Sequence, residues 1–140
     1  MGLKLRYPPT PEFAAKHAEL AVEAIKANEG ETLDYSPASL KTIDKVILRF
    51  REKGLKQEQI AETLFTFGCY AGEVFVRNRN AVWANAADVM PPDIAKNFPF
   101  MVVKLPDGKV WSPITKAFKE FSTGAEDSLE FLYQAATPKQ

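Results

Sequence analysis

KQEQIAETLFTFGCYAGEVFVR, residues 56–77, is the stretch on which the fold turns. Its apolar positions Ile60, Leu64, Phe67, Gly68, Ala71, Val74 and Phe75 recur at three- and four-residue steps, the period of one helix face. A helix from about Lys56 to Arg77 is expected. The pattern then changes at once. Asn78 and Asn80 are turn formers, and Ala81-Val82-Trp83-Ala84 has the composition of a short strand.

Upstream, two more helices are expected. Thr10-Pro11-Glu12 is an N-cap, a first-turn proline and an acid suited to the positive helix end. Phe13, His17, Leu20, Ala21, Ala24 and Ile25 follow at helical spacing until Gly30. Ser36-Pro37 repeats the device ahead of Leu40, Ile43, Val46, Ile47 and Phe50, and Gly54 ends that stripe.

Downstream, prolines 91, 92 and 99 mark residues 86–99 as an ordered loop with at most one helical turn. Phe100 to Leu105 and Lys109 to Trp111 are expected as strands joined by a tight turn at Pro106-Asp107-Gly108. Ser112-Pro113 opens a helix carrying Ile114, Ala117, Phe118 and Phe121, broken at Gly124. Leu129, Leu132, Tyr133 and Ala136 mark a last helix, with Glu126 and Asp127 as favourable acids at its N-terminus. The order predicts an α+β fold: three N-terminal helices, a small antiparallel sheet of about three strands, and two C-terminal helices. A chain of 140 residues fits one domain of radius about 14 Å, with residues 1–9 and 137–140 as flexible ends.

Composition narrows the function. Eighteen basic residues balance eighteen acidic ones, so a nucleic-acid partner is not expected. No apolar run approaches a membrane span, and the start has no signal-peptide pattern; the cytoplasm is the expected compartment. One cysteine and one histidine exclude a disulfide framework, a zinc ribbon and a His-rich metal site, and no metal or other cofactor is called for. Charge is nevertheless uneven. Residues 12–34 carry six acids against Lys16 and Lys26, whereas residues 41–56 carry six bases against Asp44 and Glu52. The simplest account sets the first two helices side by side.

Few positions invite chemistry. Two glycines four apart in a helix, Gly68 and Gly72, each cost about 1 kcal/mol relative to alanine, so close approach of a neighbour or a ligand is expected there. Glu73 follows, with Arg77 four residues on in the favourable order for an ion pair. Desolvated beside Trp83 or Trp111, Glu73 would instead serve as an acid or base, in a pocket walled by Tyr70 and the two tryptophans. Arg77, Arg79, Asn78 and Asn80 form a polar knot near Trp83, either a wet helix-to-strand junction or the anchor of a binding surface. Cys69, deep in its helix, is expected to be a buried inert thiol, and His17 a packed histidine. No catalytic residue is assigned. The candidate binding residues are Tyr70, Glu73, Arg77, Arg79, Trp83 and Trp111.

From Leu33 to Tyr133 the chain resembles a bacterial family catalogued only as a domain of unknown function. Leu33-Asp34-Tyr35-Ser36-Pro37-Ala38-Ser39-Leu40, Gly68-Cys69-Tyr70-Ala71-Gly72-Glu73-Val74, Trp83, Trp111-Ser112-Pro113-Ile114 and Gly124-Ala125-Glu126-Asp127-Ser128-Leu129 carry the likeness. It implies a small α+β domain and supplies no activity, cofactor or catalytic residue. The expectation is a non-enzymatic binding or protein-interaction module, such as an immunity or adaptor protein, working as a monomer or homodimer with a protein partner or small ligand. The alternatives are a small enzyme using Glu73, or a subunit that self-associates through its acidic and basic helices.

Overall fold

The computed structural model describes residues 4–136, built around one long helix. In chain order the elements are α1 (Ala14–Glu29), α2 (Leu40–Glu52), α3 (Gln57–Arg79), β1 (Val82–Ala84), α4 (Ala86–Val89), α5 (Pro92–Ala95), β2 (Val102–Lys104), β3 (Val110–Trp111), α6 (Pro113–Thr123) and α7 (Leu129–Ala136). The class is α+β, with a three-stranded antiparallel sheet in the order β1-β2-β3.

Two corrections concern the helices. Among the described residues there are seven, not five, because residues 86–99 hold α4 and α5 rather than a loop with a single turn. The prolines are the reason. Met90, preceding Pro91, is forced into extended backbone (φ −128°, ψ 152°), which stops α4, and Pro92 then starts α5. Secondly, α1 and α2 are not the main neighbours of one another: α1 packs along α3, and α2 packs against α6 and α7. Of the attraction expected between their charged faces, one pair forms, Arg49 Nη2 to Glu29 Oε1 at 2.7 Å.

α3 is the centre because its C-terminal half has no solvent side. From Phe67 to Phe75 every residue is buried, with α1 and α6 along it and the sheet near its end. The glycines admit two of these neighbours. A methyl group at Gly68 would overlap the backbone of Ile114, and one at Gly72 would enter the six-membered ring of Trp83. Asn80, in the left-handed region at φ 59°, then ends the helix and turns the chain into β1.

In the sheet, β2 is central and Val102 and Val103 are fully buried. The register aligns Trp83, Val103 and Trp111 in one row, so the two tryptophans share a face but lie two strands apart, about 10 Å. Leu105 and Gly108 close the expected turn, with Leu105 N–H donating to Lys109 O at 2.9 Å and Gly108 N–H to Leu105 O at 2.9 Å.

The last helix is capped differently from expectation. Asp127 belongs to a 3-10 turn (Ala125–Asp127) and bonds Thr123 Oγ1 and Lys116 Nζ, so it does not serve the start of α7. Instead Asp44 of α2 reaches across: its Oδ1 accepts from Leu129 N–H at 2.8 Å and its Oδ2 from Glu130 N–H at 3.1 Å. Arg51 likewise caps the other end of the neighbouring helix, donating to the carbonyls of Phe121 (3.2 Å) and Ser122 (2.7 Å) of α6.

At the N-terminal end, Leu5, Tyr7 and Pro8 contact the body of the fold. Leu5 packs on the core, and Tyr7 stacks on Phe13 and meets His17 edge-on. The expected loose tail at 137–140 and residues 1–3 lie outside the described residues.

Candidate functional site

The carboxylate singled out in the sequence is fully engaged. Glu73 is 6% exposed; its Oε1 accepts from Arg77 Nε at 3.2 Å and its Oε2 from Trp83 Nε1 at 2.9 Å. The geometry follows from local sequence. Four residues of helix bring Arg77 above Glu73, and the missing side chain at Gly72 lets the indole lie against α3 so that its N–H reaches the acid. Cys69, one turn before Glu73, is buried, and burial pushes its thiol well above the ordinary range, with the Glu73 charge adding to it. It is poorly suited to act as a nucleophile.

A residue missed in the sequence ties this cluster together. Tyr35 stands in the left-handed region at φ 62°, a costly conformation for an aromatic residue. Five contacts hold it. Its ring stacks on Tyr70 (centroids 4.7 Å apart), and the Arg77 guanidinium carbon lies 3.6 Å from the centroid of the same ring. Its N–H donates to Tyr70 Oη at 2.7 Å, its hydroxyl donates to Glu19 Oε2 at 2.5 Å, and its carbonyl accepts from Asn78 Nδ2 at 2.8 Å. Burial, then the Glu19 bond, raises the affinity of the Tyr35 hydroxyl for its proton. A local signal was present. Asp34 Oδ1 accepts from Ser36 N–H at 3.0 Å, the Asp-to-Ser turn that precedes the Ser36 cap and swings Tyr35 inward.

Thus Tyr70, Glu73, Arg77 and Trp83 are joined through Tyr35 into one packed cluster of stacked rings and paired charges. Trp111 stands apart beyond Val103, its buried Nε1–H without a protein partner, and Arg79 faces Tyr133 of α7 electrostatically. At Glu73, where the sequence suggested a pocket walled by Tyr70, Trp83 and Trp111, the carboxylate is in direct contact with Trp83 and Arg77.

A second pair of acids lies between α2 and α6. Glu120 is fully buried and Asp44 7% exposed. As two anions neither offers a donor, and neither oxygen of Glu120 has a hydrogen-bond partner among the described residues. A proton on Glu120 removes the repulsion and gives it a donor toward Asp44. Burial, and then the neighbouring Asp44, push the Glu120 carboxyl up to about 10, so it is neutral at pH 7 while Asp44 keeps both oxygens on the α7 amides. Enclosed on all sides, this pair is a structural cap.

An open cleft of about 660 Å³ lies between the N-terminal half of α3 and α6. Its floor is aromatic: Phe100 stacks on Phe118 at 5.2 Å and meets Phe65 edge-on at 5.6 Å. Thr115 also lines it, and its buried Oγ1 has no protein partner. Glu58 and Glu62 border it from α3, Lys119 from α6 and Lys4 from the N-terminal segment. The sequence placed Phe118 in a helical stripe and Phe100 in a strand, with no sign that the two would meet at a surface. A smaller cavity of about 230 Å³ lies nearby, where buried His17 donates Nε2–H to Pro8 O at 3.0 Å and leaves Nδ1 without a partner.

Among the described residues, no helix is long and apolar enough to cross a membrane, and no group of three or more His, Cys, Asp or Glu side chains is arranged to hold a metal ion. No family model, no curated protein and no solved structure matches the chain.

Proposed function

We propose that this protein is a non-enzymatic binding module whose ligand enters the cleft between α3 and α6. The observation that carries the reading is the contrast within one helix. At the C-terminal half of α3 each oxygen of the candidate carboxylate already has a donor, whereas at the N-terminal half an apolar floor and charges outside any ion pair border a ligand-sized opening. Kinship with the bacterial family of unknown function belongs to the same proposal, and it adds no chemistry.

The other readings have less support. An immunity- or adaptor-like protein docking at Arg77, Arg79 and Trp83 would find Arg77 and Trp83 already committed to Tyr35 and Glu73. Acid or base chemistry at Glu73 would first have to release two donors. Self-association through the charged helices competes with the internal Glu29–Arg49 pair.

Ligand-observed NMR with a library of small aromatic and aliphatic fragments tests the proposal. Saturation transfer to fragments, abolished by Thr115→Trp, which fills the cleft, is the expected result. Transfer that persists in a folded Thr115→Trp variant would place binding elsewhere.

A further inference from the structure

Resting on that reading of the cleft, we propose its ligand class: a small zwitterion with apolar side chains, of the size and chemistry of a hydrophobic dipeptide. Two features of the cleft select it.

The first is charge placement. Glu58 and Glu62 are one helical turn apart on α3 and give the cleft an acidic wall; Lys119 gives the α6 wall a cation, and Lys4 adds another from the N-terminal segment. None of these four side chains forms an ion pair or a side-chain hydrogen bond with another described residue, while elsewhere in the molecule Lys116, Arg49 and Arg77 all find acids. Two acids against two bases leave no net field for a polyanion such as a nucleotide, and an acidic wall repels a fatty acid. A molecule with an ammonium at one end and a carboxylate at the other satisfies both walls at once.

The second is the floor. The stacked Phe100 and Phe118 rings, with Pro99 and Ala61 beside them, offer an apolar surface that gains from covering by hydrocarbon or an aromatic ring. A cavity of about 660 Å³ is large for a single amino acid and lies within the range of small-ligand sites.

The test uses the full chain, labelled with ¹⁵N, titrated with leucyl-phenylalanine, its N-acetyl and C-amide forms, and neutral benzyl alcohol. The free dipeptide is expected to shift the amides of Phe100, Thr115 and Phe118, and each blocked form to bind about fivefold more weakly. The exposed charge reversals Lys119→Glu and Glu58→Lys are expected to weaken the dipeptide by a similar factor while leaving benzyl alcohol unchanged. Blocked peptides or benzyl alcohol binding as tightly as the free dipeptide would overturn the ligand class and leave the cleft as a site for neutral apolar molecules. No shift of these amides by any probe at millimolar concentration would overturn the cleft reading as well.

Discussion

Replacing the buried acid at position 120 by its neutral isostere, Glu120→Gln, should stabilise the protein increasingly as pH rises. In the folded chain Glu120 holds its proton up to about pH 10, against an ordinary value of 4.5. Below the ordinary value both folded and unfolded chains are protonated and the site costs nothing. Above it the unfolded chain releases a proton that the folded chain retains, so stability falls as pH rises, and it goes on falling until the folded-state value is reached. At 1.36 kcal/mol per unit, the 2.5 units between 4.5 and 7 amount to an upper bound of about 3 kcal/mol at pH 7, against roughly 1 kcal/mol at pH 5. Glutamine keeps the volume and offers an N–H to Asp44 at every pH. Urea unfolding followed by fluorescence of Trp83 and Trp111, in wild type and variant at pH 5, 7 and 8.5, gives the comparison. The variant's advantage should grow by about 2–3 kcal/mol between the first two conditions. An advantage that is the same at all three would show that Glu120 ionises like an exposed glutamate, and the account of the Asp44 pair would fail.

Four further substitutions test the packing. Gly72→Ala drives a methyl into the Trp83 ring and should cost about 1–3 kcal/mol in urea unfolding, with a red-shifted emission from the displaced indole; Gly68→Ala, which meets backbone at Ile114 instead of a side chain, should cost at least as much without that shift. Trp83→Phe keeps most of the ring but removes the donor to Glu73 Oε2, and should lower stability by roughly 1–3 kcal/mol at pH 7. Asp44→Ala strips the buried Leu129 N–H of its acceptor, at a cost of about 1–3 kcal/mol, and should raise hydrogen exchange first in α7.

What the sequence disclosed, and what it withheld, follows from the range of each interaction. The central helix, its glycines and the Glu73–Arg77 pair were legible because they depend on spacing within a few residues. Trp83 was legible as a neighbour of Glu73, yet its role as a donor depended on the turn at Asn80. Tyr35 was missed because its partners, Glu19, Tyr70 and Arg77, come from two other helices, and only its own turn at Asp34–Ser36 is local. Glu120 had a local signal that went unread: with Ile114 and Ala117 it continues one face of α6 at three-residue steps, which puts an acid in the core. The partner that makes this tolerable, Asp44, lies on another helix and looks like one charge among many. The cleft had no local signal at all, since it arises where the 99–100 segment crosses between two helices.

These pieces also give the physical ground for proposing a binding site at one end of α3 and a rigid support at the other. Around Phe67–Phe75 the helix is buried throughout, and its polar side chain, Glu73, is tied to Arg77 and Trp83; a ligand there would have to break more than it forms. Around Gln57–Glu62 the same helix keeps an exposed face whose acids form no ion pair with another described residue, so contacts made there are gained against water alone. Gly68, pressed on Ile114, sets the spacing of α3 and α6 between the two regions. A substitution that pushes the helices apart there should therefore alter the cleft before it disturbs the Glu73 cluster, because Trp83 approaches α3 independently through Gly72.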